Sequence, residues 1–138
     1  MATSLKIGAL KAPSLDDIEA LGRVALDTLP EEFRKLAGDV ELRVDDFPTP
    51  EVLDDLGAET EFDLLGLFHG VGMAHAPAVE YTGVMPNRIW LYRRPILDYW
   101  AEHDETLEAI VSHVLIHEIG HHFGLSDDDM EEIEDAAG

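Results

Sequence analysis

The sequence predicts an α+β fold: a small, mostly antiparallel twisted sheet flanked by helices, with the chemistry on one long helix. Three observations support this. Apolar residues recur at helical spacing through 14–29 and again through 104–123, with capping residues at the ends. The short runs "DVELRVDD", "DLLGLFHG" and "RIWLY" read as strands. Helical segments flank these runs on both sides, the order expected when helices cover a small sheet.

Taken in order, the residues before Ser14 read as a flexible arm, and 14–138 as one domain. In "SLDDIEALGRVALDTL", Ser14 is placed to cap and Asp17 holds the capping-box position. Leu15, Ile18, Leu21, Ala25 and Leu29 share a face. "PEEFRKLAG" predicts a short helix that starts at Pro30 and stops at Gly38. "DVELRVDD" alternates Val40, Leu42 and Val44, the pattern of a half-buried strand. "TPEVLDDLG" has Thr49 as cap, Pro50 in the first turn and Gly57 as terminator.

"DLLGLFHG" predicts a second strand, and a glycine-containing loop follows from Gly70. In "EYTGVMPNRIWLYRR" the Met85-Pro86-Asn87-Arg88 turn signal separates two extended runs, which predicts a hairpin. "RPILDYWAE" reads as a short helix or turn. The long helix is expected from near Asp104 to Phe123, burying Leu107, Ile110, Val111, Val114 and Leu115, with Gly124 as its left-handed stop. The acidic segment after it holds a short helix around Met130 and Ile133.

Composition narrows the function. Thirty acidic residues against nine basic ones give a formal charge of -21 in 138 residues. Nucleic acid and anionic membrane surfaces are therefore poor partners, since phosphate binding needs surplus Lys and Arg. Such a field concentrates cations, divalent metals included. With no cysteine, any metal must be held by His, Asp or Glu. The N-terminus has no sustained apolar core, and no apolar run reaches membrane-spanning length, so a soluble cytoplasmic protein is expected.

The segment "HEIGHHFGLSDDD" defines the candidate site. His117 and His121, four residues apart, fall on one helical face, where a single metal can reach both rings. Glu118 lies about 100° further round the helix, so it can miss the metal and still reach a metal-activated water as general base. Two ligands do not make a catalytic zinc site; three with one open position do. Gly124 reverses the chain, and Asp127 falls ten residues after His117, the third-ligand position of the pattern HExxHxxGxx(H/D), with Asp128 as the fallback. In this composition HExxH arises in roughly 4% of shuffled chains, and the extended pattern in about one in a thousand, so chance is a poor account of it.

The segments "LLGLFHG", "GVMPNRIWLYRRPI" and "IHEIGHHFGLSDDDMEEIE" resemble the small bacterial zincin-like metallopeptidases, or minimal zincins, across Ile18 to Glu134. The resemblance implies a compact α+β fold with the active-site helix against a small twisted sheet. It also implies a peptide or protein substrate aligned on an edge strand, which the hairpin "EYTGV…RIWLY" would supply. It carries over His117 and His121 as zinc ligands, Glu118 as base and Asp127 as third ligand. Two departures stand out. Met130 follows Asp127 too closely to be a metzincin methionine turn. Glu131, Glu132 and Glu134 follow too closely to copy the gluzincin ligand on a separate later helix.

Other residues carry blander readings. His122 and His113 are expected to be structural or to support the ligands, and His69 and His75 to be surface polar residues. Tyr81 and Tyr92 are expected to pack rather than donate to an oxyanion, and Arg93 and Arg94 to pair with surface acids. Besides a zinc-dependent peptidase, two readings remain open. One is a catalytically weak metal-binding or protein-interaction module on the same scaffold. The other is non-haem iron on the two histidines and one carboxylate, although an oxygenase has no need of Glu118.

Overall fold

A computed structural model of the chain describes residues 7–70 and 87–137. Its elements are α1 (Leu15–Thr28), α2 (Glu31–Ala37), β1 (Val40–Asp45), α3 (Pro50–Leu56), β2 (Gly66–His69), β3 (Asn87–Tyr92), α4 (Arg93–Glu102), α5 (Leu107–His122) and α6 (Asp127–Ala137). The class is α+β.

Local chemistry sets the element ends. Ser14 and Asp17 exchange backbone hydrogen bonds in a full capping box at the start of α1. Thr49 Oγ1 accepts from Val52 N–H to open α3. Thr106 Oγ1 accepts from Ala109 N–H, which fixes the start of α5 two or three residues later than the periodicity alone suggests.

The sheet has strand order β1-β3-β2. β1 runs parallel to β3, with Leu42 opposite Ile89, and β2 runs antiparallel to it, with Phe68 opposite Ile89. The sheet is thus mixed, with one parallel and one antiparallel pair. Asn87 and Arg88, expected in a turn, are instead the first residues of β3, where they pair with Val40 and Glu41. Ladder hydrogen bonds to β1 outweigh the local turn preference there. The other arm of the expected hairpin, with Tyr81, lies outside the described residues, as does His75. Because β3 is paired on both sides, it cannot offer a free edge; among the described residues the edges belong to β1 and β2.

α1 and α5 pack against each other and on the sheet, α1 toward β1 and α5 toward β2. Between these layers Ile18, Ile89, Leu91, Ile110, Leu115, Ile116 and Ile119 are fully buried. Each such side chain contributes about 1.5–3 kcal/mol over an exposed one. α5 is buried on more than the expected stripe. Ile116, Ile119 and Gly120 are also buried, and α6 folds back on α5 with Met130 against Gly120. Leu15, expected on the buried face of α1, is exposed, since it sits at the first position, beyond the reach of the core.

α6 docks through one contact above all. Met130 is fully buried, and a Cβ on Gly120 would stand 2.8 Å from Met130 Cγ. Gly120→Ala is therefore expected to push α6 off α5 and to destabilise the protein by about 1–3 kcal/mol. Urea or thermal denaturation measures this, and a variant as stable as wild type would mean that the two helices do not meet there.

Candidate metal centre

The site is built on a helical hairpin. α5 presents His113, His117 and His121 at four-residue intervals, hence on one face. Gly124, at φ 76°, turns the chain where a side chain would be strained. Ser126 then caps α6: its Oγ accepts from Asp129 N–H at 3.1 Å, and its own N–H donates to Asp129 Oδ2 at 3.3 Å. Asp129 is thereby committed to the cap. Asp127, Met130 and Glu134 recur at spacings of three and four, so they share the face of α6 that meets α5. With Met130 seated on Gly120, Asp127 falls beside the end of α5, and Glu134 lies one turn beyond Met130, beside His117 and His113.

Two groups of three result. His117, His121 and Asp127 each bring one ligand atom to within 4.8 Å of the other two; Asp128 belongs to neither group. The His117 and His121 rings stand 5.7 Å apart at 79°. His113, His117 and Glu134 meet the same spacing. Glu134 Oε1 is 2.7 Å from His113 Nδ1 and 2.8 Å from His117 Nε2, and the two rings stack at 3.9 Å.

The first group suits zinc by donor type, two imidazoles and one carboxylate. Tetrahedral zinc separates its ligand atoms by about 3.3 Å. His121 and Asp127 are exposed, so rotation of their side chains can close the remaining gap.

Glu118 points elsewhere, as a 100° step requires. It lies against β2 and accepts a hydrogen bond from Phe68 N–H. Leu65 accepts from Tyr92 N–H at 2.9 Å, which sets the alternation of the β2–β3 ladder and directs the backbone groups of Gly66 and Phe68 away from β3. Glu118 occupies that outer side. Burial pushes its carboxyl from 4.5 up to about 7, with the Phe68 N–H only partly offsetting the shift. Leu64, Leu65, Tyr99, His117, Glu118 and His121 all face a cleft of about 330 Å³. At its rim, hydrogen bonds from Thr60 hold the Asp63 carboxyl below its ordinary range.

The remaining candidates sort as follows. Tyr92 is 3% exposed and packs in the interior; burial, then Asp45 and Glu118, push its hydroxyl up to about 12. His122 packs on Phe68 and Phe123. His69 is exposed near Trp90 and does not line the cleft. Arg93 pairs with Asp46 at 3.0 Å and also donates to the Pro13 carbonyl, and Arg94 lies 5.5 Å over the Phe47 ring. Sequence reading missed Tyr99 as a cleft wall and Glu134 as the partner of two histidines. The second had a signal: Glu134 follows Asp127 by seven residues, with an apolar methionine between them on the same face.

The fold and site together define an α+β protein whose α5–α6 hairpin carries a histidine–carboxylate cluster beside a half-buried glutamate. A family model described as zincin-like metallopeptidase matches residues 37–137, most of the chain, and the chain belongs to that family. No curated protein matches it. Among the described residues no helix is long and apolar enough to cross a membrane.

The raised Glu118 carboxyl has a consequence for stability. Its folded value lies above its ordinary one, so its contribution is fully present below about 4.5 and is lost as pH rises through about 7. In chelator-treated protein, wild type is expected to lose up to about 3 kcal/mol relative to Glu118→Gln between pH 4.5 and 8. Paired denaturation curves measure this, and a pH-independent difference would mean that the carboxyl ionises normally.

Proposed function

We propose that this protein is a zinc-dependent metallopeptidase, with His117, His121 and Asp127 as zinc ligands and Glu118 as general base. The observation that carries the reading is the pairing of a three-residue ligand group with a half-buried carboxyl poised near neutral pH one residue from its first ligand. A zinc ion bound there would polarise a peptide carbonyl and lower the pKa of a water toward ~7.

Glu118 takes a proton from the attacking water as the O–C bond forms, then delivers it to the amine nitrogen as the C–N bond breaks. Burial raises the Glu118 carboxyl above its ordinary value, which makes it a stronger base than a free glutamate for the first half of that transfer. The Phe68 N–H holds the carboxyl toward the cleft. Leu64, Leu65 and Tyr99 form an apolar wall that limits water around it. The substrate reading is an extended peptide along the outer side of β2, where Gly66 and Phe68 direct their backbone groups.

Glu118→Gln is expected to retain bound zinc and to lower peptide hydrolysis by at least roughly 100-fold. Metal analysis and turnover on a peptide library test this together, and undiminished turnover in the variant would refute the mechanism. Zinc bound to wild type with no turnover on any peptide would instead favour the binding-module reading.

Asp127→Ala is expected to weaken zinc binding by roughly 10- to 100-fold with little change in fold, since Asp127 is exposed. Competition with a chromophoric chelator measures it. Unchanged affinity would remove Asp127 from the ligand set.

A further inference from the structure

The proposed ligand set leaves unused the cluster formed by His113, His117 and Glu134. We propose that it is a second divalent-cation position, overlapping the first at His117, so that the hairpin offers one ion two alternative seats a helical turn apart.

Three features support this. One is convergence: two imidazole nitrogens from one helix and a carboxylate from the next meet at a single oxygen, with Glu134 Oε1 at 2.7 Å from His113 Nδ1 and 2.8 Å from His117 Nε2. Zinc with nitrogen and oxygen ligands at about 2.0–2.1 Å needs those atoms about 3.3 Å apart, so a withdrawal of the carboxylate by roughly half an ångström admits the ion. The second feature is preorganisation. The Met130–Gly120 contact fixes the helix that carries Glu134, and the two rings, stacked at 3.9 Å and 28°, need only tilt toward each other for both in-plane lone pairs to meet one ion. The third is access: the His113 side chain is 52% exposed, so an ion enters without any opening of the core.

The donor set selects the class of ion. Two imidazoles and one carboxylate suit zinc and neighbouring first-row divalent ions over calcium or magnesium, which favour all-oxygen shells. His117 serves both positions, so an ion held by His113 and Glu134 takes a ligand away from the His121 and Asp127 position. This inference does not rest on peptidase activity.

The test uses zinc alone and the full chain. In the double variant His121→Ala, Asp127→Ala, both sites exposed, equilibrium dialysis is expected to show one zinc still bound, roughly 100-fold more weakly than in wild type. The ¹⁵N resonance of His113 Nδ1 is expected to shift as that zinc binds. Adding His113→Ala and Glu134→Gln is expected to abolish the residual binding. No zinc in the folded double variant, or binding that leaves His113 Nδ1 unmoved, would overturn the proposal. As a check without those substitutions, the same resonance is followed in wild type as zinc is added, and no movement at any zinc level would also overturn it. Failure of the peptidase reading is separately visible: the variant His113→Ala, Glu134→Gln, with His117, His121 and Asp127 intact, would then bind no zinc at the first position or bind it without peptide turnover, and neither result bears on the second position.

Discussion

Where α5 turns back into α6, bare backbone at Gly120 lets Met130 seat directly on the helix, and the register of every metal-capable side chain follows from that contact. Asp127 lies three residues before Met130 and Glu134 four after it, so one buried methionine places a carboxylate on either side of itself. α5 answers with histidines one turn apart. The contact is apolar and interior, whereas the groups it positions are polar and partly exposed. The energy that holds the arrangement is thus supplied by packing, and the ligands do not need to stabilise their own placement.

Much of this was legible in the sequence because it is local. Caps at Ser14 and Thr49, a stop at Gly124 and the four-residue interval of His117 and His121 depend on neighbours within a helical turn. The pairing of β3 was not legible in the same way. Asn87 and Arg88 look like turn residues until β1, some forty-seven residues away, supplies their partners. The burial of Gly120 likewise depends on α6 docking, which periodicity within α5 does not encode. At the site, the spacing of Glu118 indicated its separation from the ligand face, but not its hydrogen bond to Phe68, because that neighbour belongs to another element.

The acidity of the chain bears on the centre directly. α6 begins with three aspartates, favourable against the positive end of its dipole, and continues with glutamates along its length. Few cations offset them: the ion pairs of Arg23, Lys35 and Arg43 lie at exposed places on other elements, where each contributes little. The histidine rail of α5 therefore sits beneath a helix rich in carboxylates, of which Glu134 pairs with His113 and His117. Such a field attracts divalent cations to the hairpin before any specific ligation, and it weakens as salt screens it.

Among the described residues, the side-chain groups able to hold an ion lie between His113 and Glu134, whereas Glu118 accepts its hydrogen bond from a strand some fifty residues earlier. Bringing the ligands together closes only a short loop, at a small cost in chain entropy, while joining Glu118 to Phe68 closes a long one. Assembly of the histidine–carboxylate cluster is thus a low-contact-order event and docking of Glu118 on its strand a high-contact-order one. The groups able to hold an ion are therefore joined by local contacts, whereas the hydrogen bond between Glu118 and Phe68 waits on the long-range assembly of helix and sheet.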